Sequence, residues 1–137
     1  MKKVLFVCTH NSARSQMAEA FLNQMQPEKY KAYSAGTKPT KLSPYAVTVM
    51  SEIGIDISLQ FSKSIESLKG QRFDIVVTVC DSAKESCPSL PEGGKVMHES
   101  FDDPSDFRGT DQDKLRGYRR VRDEIKRWVA KEFGEKR

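Results

Sequence analysis

Two hydrophobic periods alternate along the chain. Residues 3–7, Lys-Val-Leu-Phe-Val, form a short apolar run that fits a buried strand. Over residues 15–25 the apolar positions Met17, Ala18, Phe21, Leu22 and Met25 instead fall at helical spacing. A strand, a polar loop and a helix are thus predicted in direct succession. Residues 31–35 read as a second strand closed by Gly36, and 38–41 as a loop. The next helix is punctuated by Ser43 as cap, Pro44 in the first helical position and Gly54 after Ile53 as its end. A loop or short helix over 62–68 leads to Phe-Asp-Ile-Val-Val-Thr-Val at 73–79, the densest β-branched run, which predicts a central strand with Cys80 at its end. Residues 95–98 predict a short fourth strand. Leu115, Tyr118, Val121, Ile125, Trp128 and Val129 give the last helix an apolar stripe. Strands alternating with helices imply an α/β fold, a parallel sheet covered on both faces. With no internal repeat and no linker-like stretch, residues 1–137 read as one domain.

Composition narrows the picture. Of the 137 residues, 37% are hydrophobic and 31% charged, which suits a modest core under a well-charged surface. The N-terminal apolar run turns polar at Thr9-His10-Asn11, too early for a signal-peptide core or a membrane span, so a cytoplasmic protein is expected. In that compartment thiols stay reduced, and three cysteines are expected to be reactive or buried rather than permanently bridged. The net charge of +4 comes partly from the basic C-terminal segment. Acidic residues Asp113, Asp123, Glu124, Glu132 and Glu135 are interspersed there without alternating aromatics, so a solvated helix face is expected, with no nucleic-acid and no membrane partner.

The chemistry concentrates in Cys8-Thr9-His10-Asn11-Ser12-Ala13-Arg14-Ser15, between the first strand and the first helix, where open α/β folds place ligands. Small and polar side chains let such a loop curl until successive N–H groups converge on an anion, and the helix N-terminus adds partial positive charge. Arg14 offers a planar fork for two oxygens of a tetrahedral oxyanion. The same field favours the thiolate of Cys8, and Ser15 is placed to donate a hydrogen bond to that sulfur. His10 either tunes the electrostatics of the loop or simply faces solvent. Further along, Cys80 and Cys87 stand seven positions apart in a polar segment, a spacing that by itself fits unrelated cysteines as well as a pair and matches no common zinc site. Phe101-Asp102-Asp103-Pro104, taken alone, reads as a turn, with either aspartate available as a proton donor.

At these residues the chain resembles the low-molecular-weight protein tyrosine phosphatase superfamily, and more closely its thioredoxin-coupled arsenate reductase branch. CTHNSARSQMAEAF is similar to the family's phosphate loop and first helix, and YSAGT, FDIVVTVC, FDDP and RRVRDEIK follow in the family's order. The resemblance implies a four-stranded parallel sheet flanked by helices with flavodoxin-like wrapping. It also implies Cys8 as nucleophile, Arg14 as oxyanion ligand and Asp103 as general acid. Cys80 and Cys87 match the branch's redox pair, so the resemblance implies reduction of arsenate to arsenite through a Cys8, Cys80, Cys87 relay that ends in a Cys80–Cys87 disulfide reduced by thioredoxin. A tyrosine phosphatase working through a Cys8 phosphoenzyme is the alternative; Ser105-Asp106-Phe107, where phosphatases carry tyrosines, speaks against it. A non-catalytic phosphate-binding module is a third reading. The potassium site that some thioredoxin-coupled reductases carry maps by this resemblance to Asn11, Glu19 and Ser34, with Lys63 in place of an acidic ligand; the lysine either takes the cation's role or is solvated. No tightly bound cofactor, no metal and a monomer are expected.

Overall fold

The computed structural model describes residues 1–68, 70–79 and 93–134. Strand β1 covers Lys2–Cys8, α1 Arg14–Met25, β2 Tyr30–Gly36, α2 Pro44–Ser51, β3 Phe73–Thr78, β4 Gly93–His98 and α3 Asp111–Phe133. Short 3-10 turns occupy Ile65–Leu68 and Pro104–Asp106. All strand pairs are parallel, in the order β2-β1-β3-β4. This is the α/β, four-stranded parallel sheet expected from the alternation of periods.

Strand β1 is central and is buried from Val4 to Cys8 because it carries neighbours at both edges and helices over its faces. Met17, Phe21 and Leu22 of α1 join Val121, Ile125 and Val129 of α3 in one core with Leu5, Phe6, Val76 and Val77 of the sheet. Phe6 and Tyr30 meet Phe133 edge-on, with ring centroids 6.1 and 5.3 Å apart, and so seal the far end of α3. The N-terminus of α3 is fixed by a capping box between Thr110 and Asp113, a signal the apolar stripe alone does not carry.

Boundaries differ from the sequence reading at three places. Gly36 does not merely close β2 but belongs to it, paired with Cys8. Regular α2 ends at Ser51, and the chain closes through Gly54 to Ser51 and Ile55 to Met50 backbone bonds, both 3.0 Å, the pattern that caps a helix with glycine one position beyond it. Strand β4 begins at Gly93 rather than Lys95, because pairing with Phe73 of β3 extends it. From β1 the chain passes to β2 on one side and then back across to β3 on the other, which leaves a crevice beyond the C-terminal ends of β1 and β3. Cys8 ends β1 at that crevice.

Candidate functional site

The loop after Cys8 is held from outside by its carbonyls. Cys8 O accepts from Thr37 N at 3.2 Å, Thr9 O from Lys38 N at 2.8 Å, His10 O from Thr40 N at 3.2 Å, and Ser12 O from Ser43 N at 2.9 Å. Asn11 O accepts from Gln16 Nε2 at 3.0 Å. In a planar trans peptide the following N–H points opposite to the carbonyl, so N–H groups of residues 9–13 turn to the concave side. That of Asn11 does so visibly, donating to Cys8 Sγ at 3.2 Å. Ala13, at the N-cap of α1, has no side-chain acceptor, and the first turn carries no acidic residue. The orphan donors of the helix start therefore add to an anion-binding concavity.

Curling this tightly requires Asn11 to adopt φ 49°, a left-handed conformation that asparagine tolerates better than most residues. It also requires Gly36 alongside. A Cβ there would stand 2.6 Å from Thr9 O and 3.0 Å from both Cβ and N of Asn11. The loop and β2 approach each other so closely that only glycine fits.

The buried Asn11 side chain directs a chain of donors to the sulfur. Its Oδ1 accepts from Lys63 N at 2.9 Å and from Gln16 Nε2 at 3.0 Å, which orients the amide. Nδ2 then donates to Ser15 Oγ at 2.7 Å, and the Ser15 hydroxyl hydrogen is left for Cys8 Sγ, 2.8 Å away. Cys8 is thus an acceptor from Ser15 and from the Asn11 N–H, an arrangement that favours the thiolate. Gln16 is itself oriented: it donates to Phe61 O at 2.8 Å and accepts from Gln60 Nε2 at 2.7 Å. Gln16 and Gln60 are not singled out by the sequence, and Gly36 reads there only as the end of a strand. A polar residue on the buried face of α1 was the available signal for Gln16, but it carries no indication of its partner.

Arg14 is buried, donates from Nη1 to Phe101 O at 3.2 Å, and sets Nη2 3.4 Å from Asp103 Oδ2. Asp103 Oδ1 accepts from the Ser105 N–H and hydroxyl at 3.0 and 2.7 Å. Asp102 points away, to Arg120 Nη2 at 3.0 Å, with its side chain 69% exposed. Of the two aspartates left open by sequence, Asp103 is the one beside Arg14. Tyr118 closes this side, its hydroxyl accepting from Ser43 Oγ at 3.2 Å and its ring stacked on Tyr45. Burial raises its phenol pKa, the Ser43 hydrogen bond opposes that, and the charges of Asp103 and Arg14 act in opposite senses. Thr9, His10 and Ser12 are half-buried at the rim. Cys80 and Cys87 lie outside the described residues.

Lys63 enters on the side opposite Asp103. Its ammonium lies 3.8 Å from Glu19 Oε1 and 3.5 Å from Ser34 Oγ, and donates to Phe61 O at 3.2 Å. Ser34 in turn donates to Glu19 Oε1 at 2.9 Å. Burial lowers the Lys63 pKa, with Glu19 opposing, and raises that of Glu19, with Lys63 and Ser34 opposing. The lysine is packed into the network rather than solvated.

Residues 3–135 match the family described as low molecular weight phosphotyrosine protein phosphatase. An arsenate reductase of Bacillus subtilis is 46% identical over 134 residues, covering 98% of this chain and 96% of that protein. Among solved structures, one described as an arsenate reductase in the phosphate binding state superposes with a TM-score of 0.82 at 34% identity, over 96% of this chain and 95% of the other. A low molecular weight protein tyrosine phosphatase from T. tengcongensis gives 0.78 at 31% identity, over 96% and 97%. Among the described residues, no helix is long and apolar enough to cross a membrane.

Two outcomes are expected. Ser15→Ala removes a hydrogen bond to a charged sulfur, so alkylation of Cys8 by iodoacetamide at neutral pH should slow about tenfold, with the half-reaction pH moving up; an unchanged pH profile in Cys80→Ser, Cys87→Ser background would reject the donor chain. Lys63→Met strands the Glu19 carboxylate and should cost about 1–3 kcal/mol at neutral pH, between the ranges for exposed and buried pairs. Because the folded-state pKa of Glu19 is raised, its protonated form is favoured in the folded chain, and the deficit should shrink on acidification through that raised range. Urea unfolding at neutral and mildly acidic pH measures it; an equal deficit at both contradicts the pairing.

Proposed function

The chain belongs to the low molecular weight phosphotyrosine protein phosphatase family, and we propose that within it this protein reduces arsenate to arsenite in the bacterial cytoplasm. The observation that carries the reading is the sulfur of Cys8, which accepts hydrogen bonds from Ser15 and Asn11 at the mouth of an N–H-lined loop with Arg14 beside it. The loop suits any tetrahedral oxyanion. Arsenate is favoured over a phosphate ester by Cys80 and Cys87 in the sequence and by relatives named arsenate reductase.

In the proposed reaction, arsenate enters the loop and its oxygens take the inward N–H groups and the Arg14 fork. The Cys8 thiolate attacks arsenic, forming the S–As bond while one As–O bond breaks; Asp103 gives its proton to that oxygen, which leaves as water. Cys80 then attacks Cys8 Sγ. An S–S bond forms, the S–As electron pair stays on arsenic, and arsenite departs. Cys87 attacks Cys80 next, releasing the Cys8 thiolate and leaving a Cys80–Cys87 disulfide. Thioredoxin supplies two electrons and two protons to return both thiols. A single domain over 1–137, acting as a monomer, is sufficient for these steps.

A hydrolytic enzyme needs no such pair, because water resolves its covalent intermediate. This is the difference between the reductase and the phosphatase readings. We infer that Lys63 takes the place of the potassium ion that some thioredoxin-coupled reductases carry. Its ammonium stands among Glu19, Ser34 and the segment that bonds Asn11, and a second cation beside it would meet like charge with, among the described residues, the one carboxylate of Glu19 to share. The reaction is derived without potassium.

The deciding experiment compares, under anaerobic conditions, arsenite formation and phosphate-ester hydrolysis with and without thioredoxin, thioredoxin reductase and NADPH. Arsenite should form over many turnovers only with the full reducing system, and Cys80→Ser should abolish it while leaving slow ester hydrolysis through Cys8. Hydrolysis without arsenite formation would favour the phosphatase, and undiminished turnover of Cys80→Ser would remove the relay. Replacing sodium by potassium in the same assay should leave the rate unchanged; a several-fold gain would show that Lys63 does not serve as the resident cation.

A further inference from the structure

The loop that carries Asp103 is fastened to one face of α3 by residues that touch neither the sulfur nor the anion concavity. Gly117 lies inside that helix, where glycine weakens the helix relative to alanine and so calls for a packing reason. The reason is Phe107. A Cβ on Gly117 would overlap the Phe107 ring, standing 2.7 Å from Cγ and closer still to Cδ2 and Cε2. The ring therefore sits directly on the helix backbone. Arg120, one turn further along α3, places its guanidinium 5.1 Å from the ring centroid and donates to Asp102 Oδ2 at 3.0 Å and to Glu124 Oε2 at 3.0 Å. At the other end of the loop, buried Phe101 meets Trp128 edge-on at 6.1 Å.

Asp103 hangs between these fasteners. Ser105 holds its Oδ1, and its Oδ2 lies 3.4 Å from Arg14. A general acid must come within about 2.6–3.2 Å of the oxygen it protonates. Its backbone must then be held to better than an ångström, since misplacement of that order costs on the order of a hundredfold in rate. Arg14 does not supply this restraint alone, because its fork is also needed by the anion.

We propose that Phe107, seated on Gly117 and covered by Arg120, is a positioning residue that sets Asp103 for proton delivery to the leaving oxygen. The proposal rests on the reading of Asp103 as general acid to a Cys8 displacement. With a phosphate monoester as probe, the S–P bond forms as the P–O bond to the leaving group breaks, and the Asp103 proton passes to that oxygen. A displaced Asp103 is then felt in proportion to the basicity of the leaving group. A general loss of structure is not.

The test uses the full chain as wild type, Phe107→Ala, Phe107→Tyr, Gly117→Ala and Asp103→Asn, with phenyl phosphate and dinitrophenyl phosphate as probes. Phe107→Ala and Gly117→Ala should lose about tenfold or more in kcat/KM on phenyl phosphate, yet less than about threefold on dinitrophenyl phosphate, whose leaving group needs no proton; kcat/KM is read because it ends at leaving-group departure, before water cleaves the S–P bond. Phe107→Tyr, which keeps the ring, should retain both values. Equal losses on the two esters, or none on phenyl phosphate, would overturn the positioning role. If Asp103→Asn is steeply leaving-group dependent while Phe107→Ala is not, only the positioning role fails. If Asp103→Asn shows no such dependence, the acid assignment fails with it. Should Gly117→Ala not fold, Phe107→Ala, which introduces no overlap, decides. Should the wild type cleave neither ester, the rate of arsenate reduction decides: Phe107→Ala must lose the same factor as Asp103→Asn while Phe107→Tyr keeps the wild-type rate, and an undiminished Phe107→Ala overturns the proposal.

Discussion

One buried amide organises the site. Asn11 turns the loop after β1 through a left-handed residue, and its side chain simultaneously receives the Lys63 N–H and drives Ser15 to donate toward Cys8. A buried polar group must be hydrogen-bonded, and once one end of an amide is assigned to donors the other end must itself donate. Direction is thereby imposed on every bond downstream. The state of the Cys8 sulfur is coupled in this way to a segment more than fifty residues away in sequence.

The same requirement explains the polar residues packed behind the loop. Gln16 joins Asn11 to Phe61, and Gln60 donates to Gln16, so amides attach the 60–63 segment to α1. Lys63 then places positive charge among Glu19, Ser34 and Phe61 O. Both partly buried ions are shifted toward neutrality by desolvation and held charged by each other, so neither is expendable on its own. The Lys63 ammonium answers the carboxylate of Glu19.

The opposite wall is built on different physics. The Asp103 loop is attached to α3 by aromatic packing and by a guanidinium that binds a ring and a carboxylate together. Arg14 joins the two walls through Phe101 O and Asp103, and Tyr118 does so through Ser43, whose N–H holds Ser12 O. The loop after β1 and the separately anchored Asp103 loop thus meet across the crevice that the crossover from β2 to β3 opens at the end of β1.

Much of this was legible in the chain before any coordinates. The strand, loop and helix around Cys8, the parallel sheet, the Ser43-Pro44 helix start and the pairing of Ser15 with Cys8 all follow from periodicity and from neighbours a few residues apart, where backbone geometry leaves little choice. The role of Gly36, the Gln16–Gln60 bridge and the seat of Phe107 on Gly117 were not; Asp103 in preference to Asp102, and Lys63 beside Glu19 and Ser34, were legible only through the family resemblance, with Asp102 and a solvated lysine left open. Each depends on which segment lies against which, and the partners are as far apart as 44 residues for Gln16 and Gln60 and 52 for Asn11 and Lys63. Local sequence determines what an element is and which chemical groups it carries. Only the folded chain decides which of those groups are deprived of water together, and a buried polar group acquires its role from the partner it finds there.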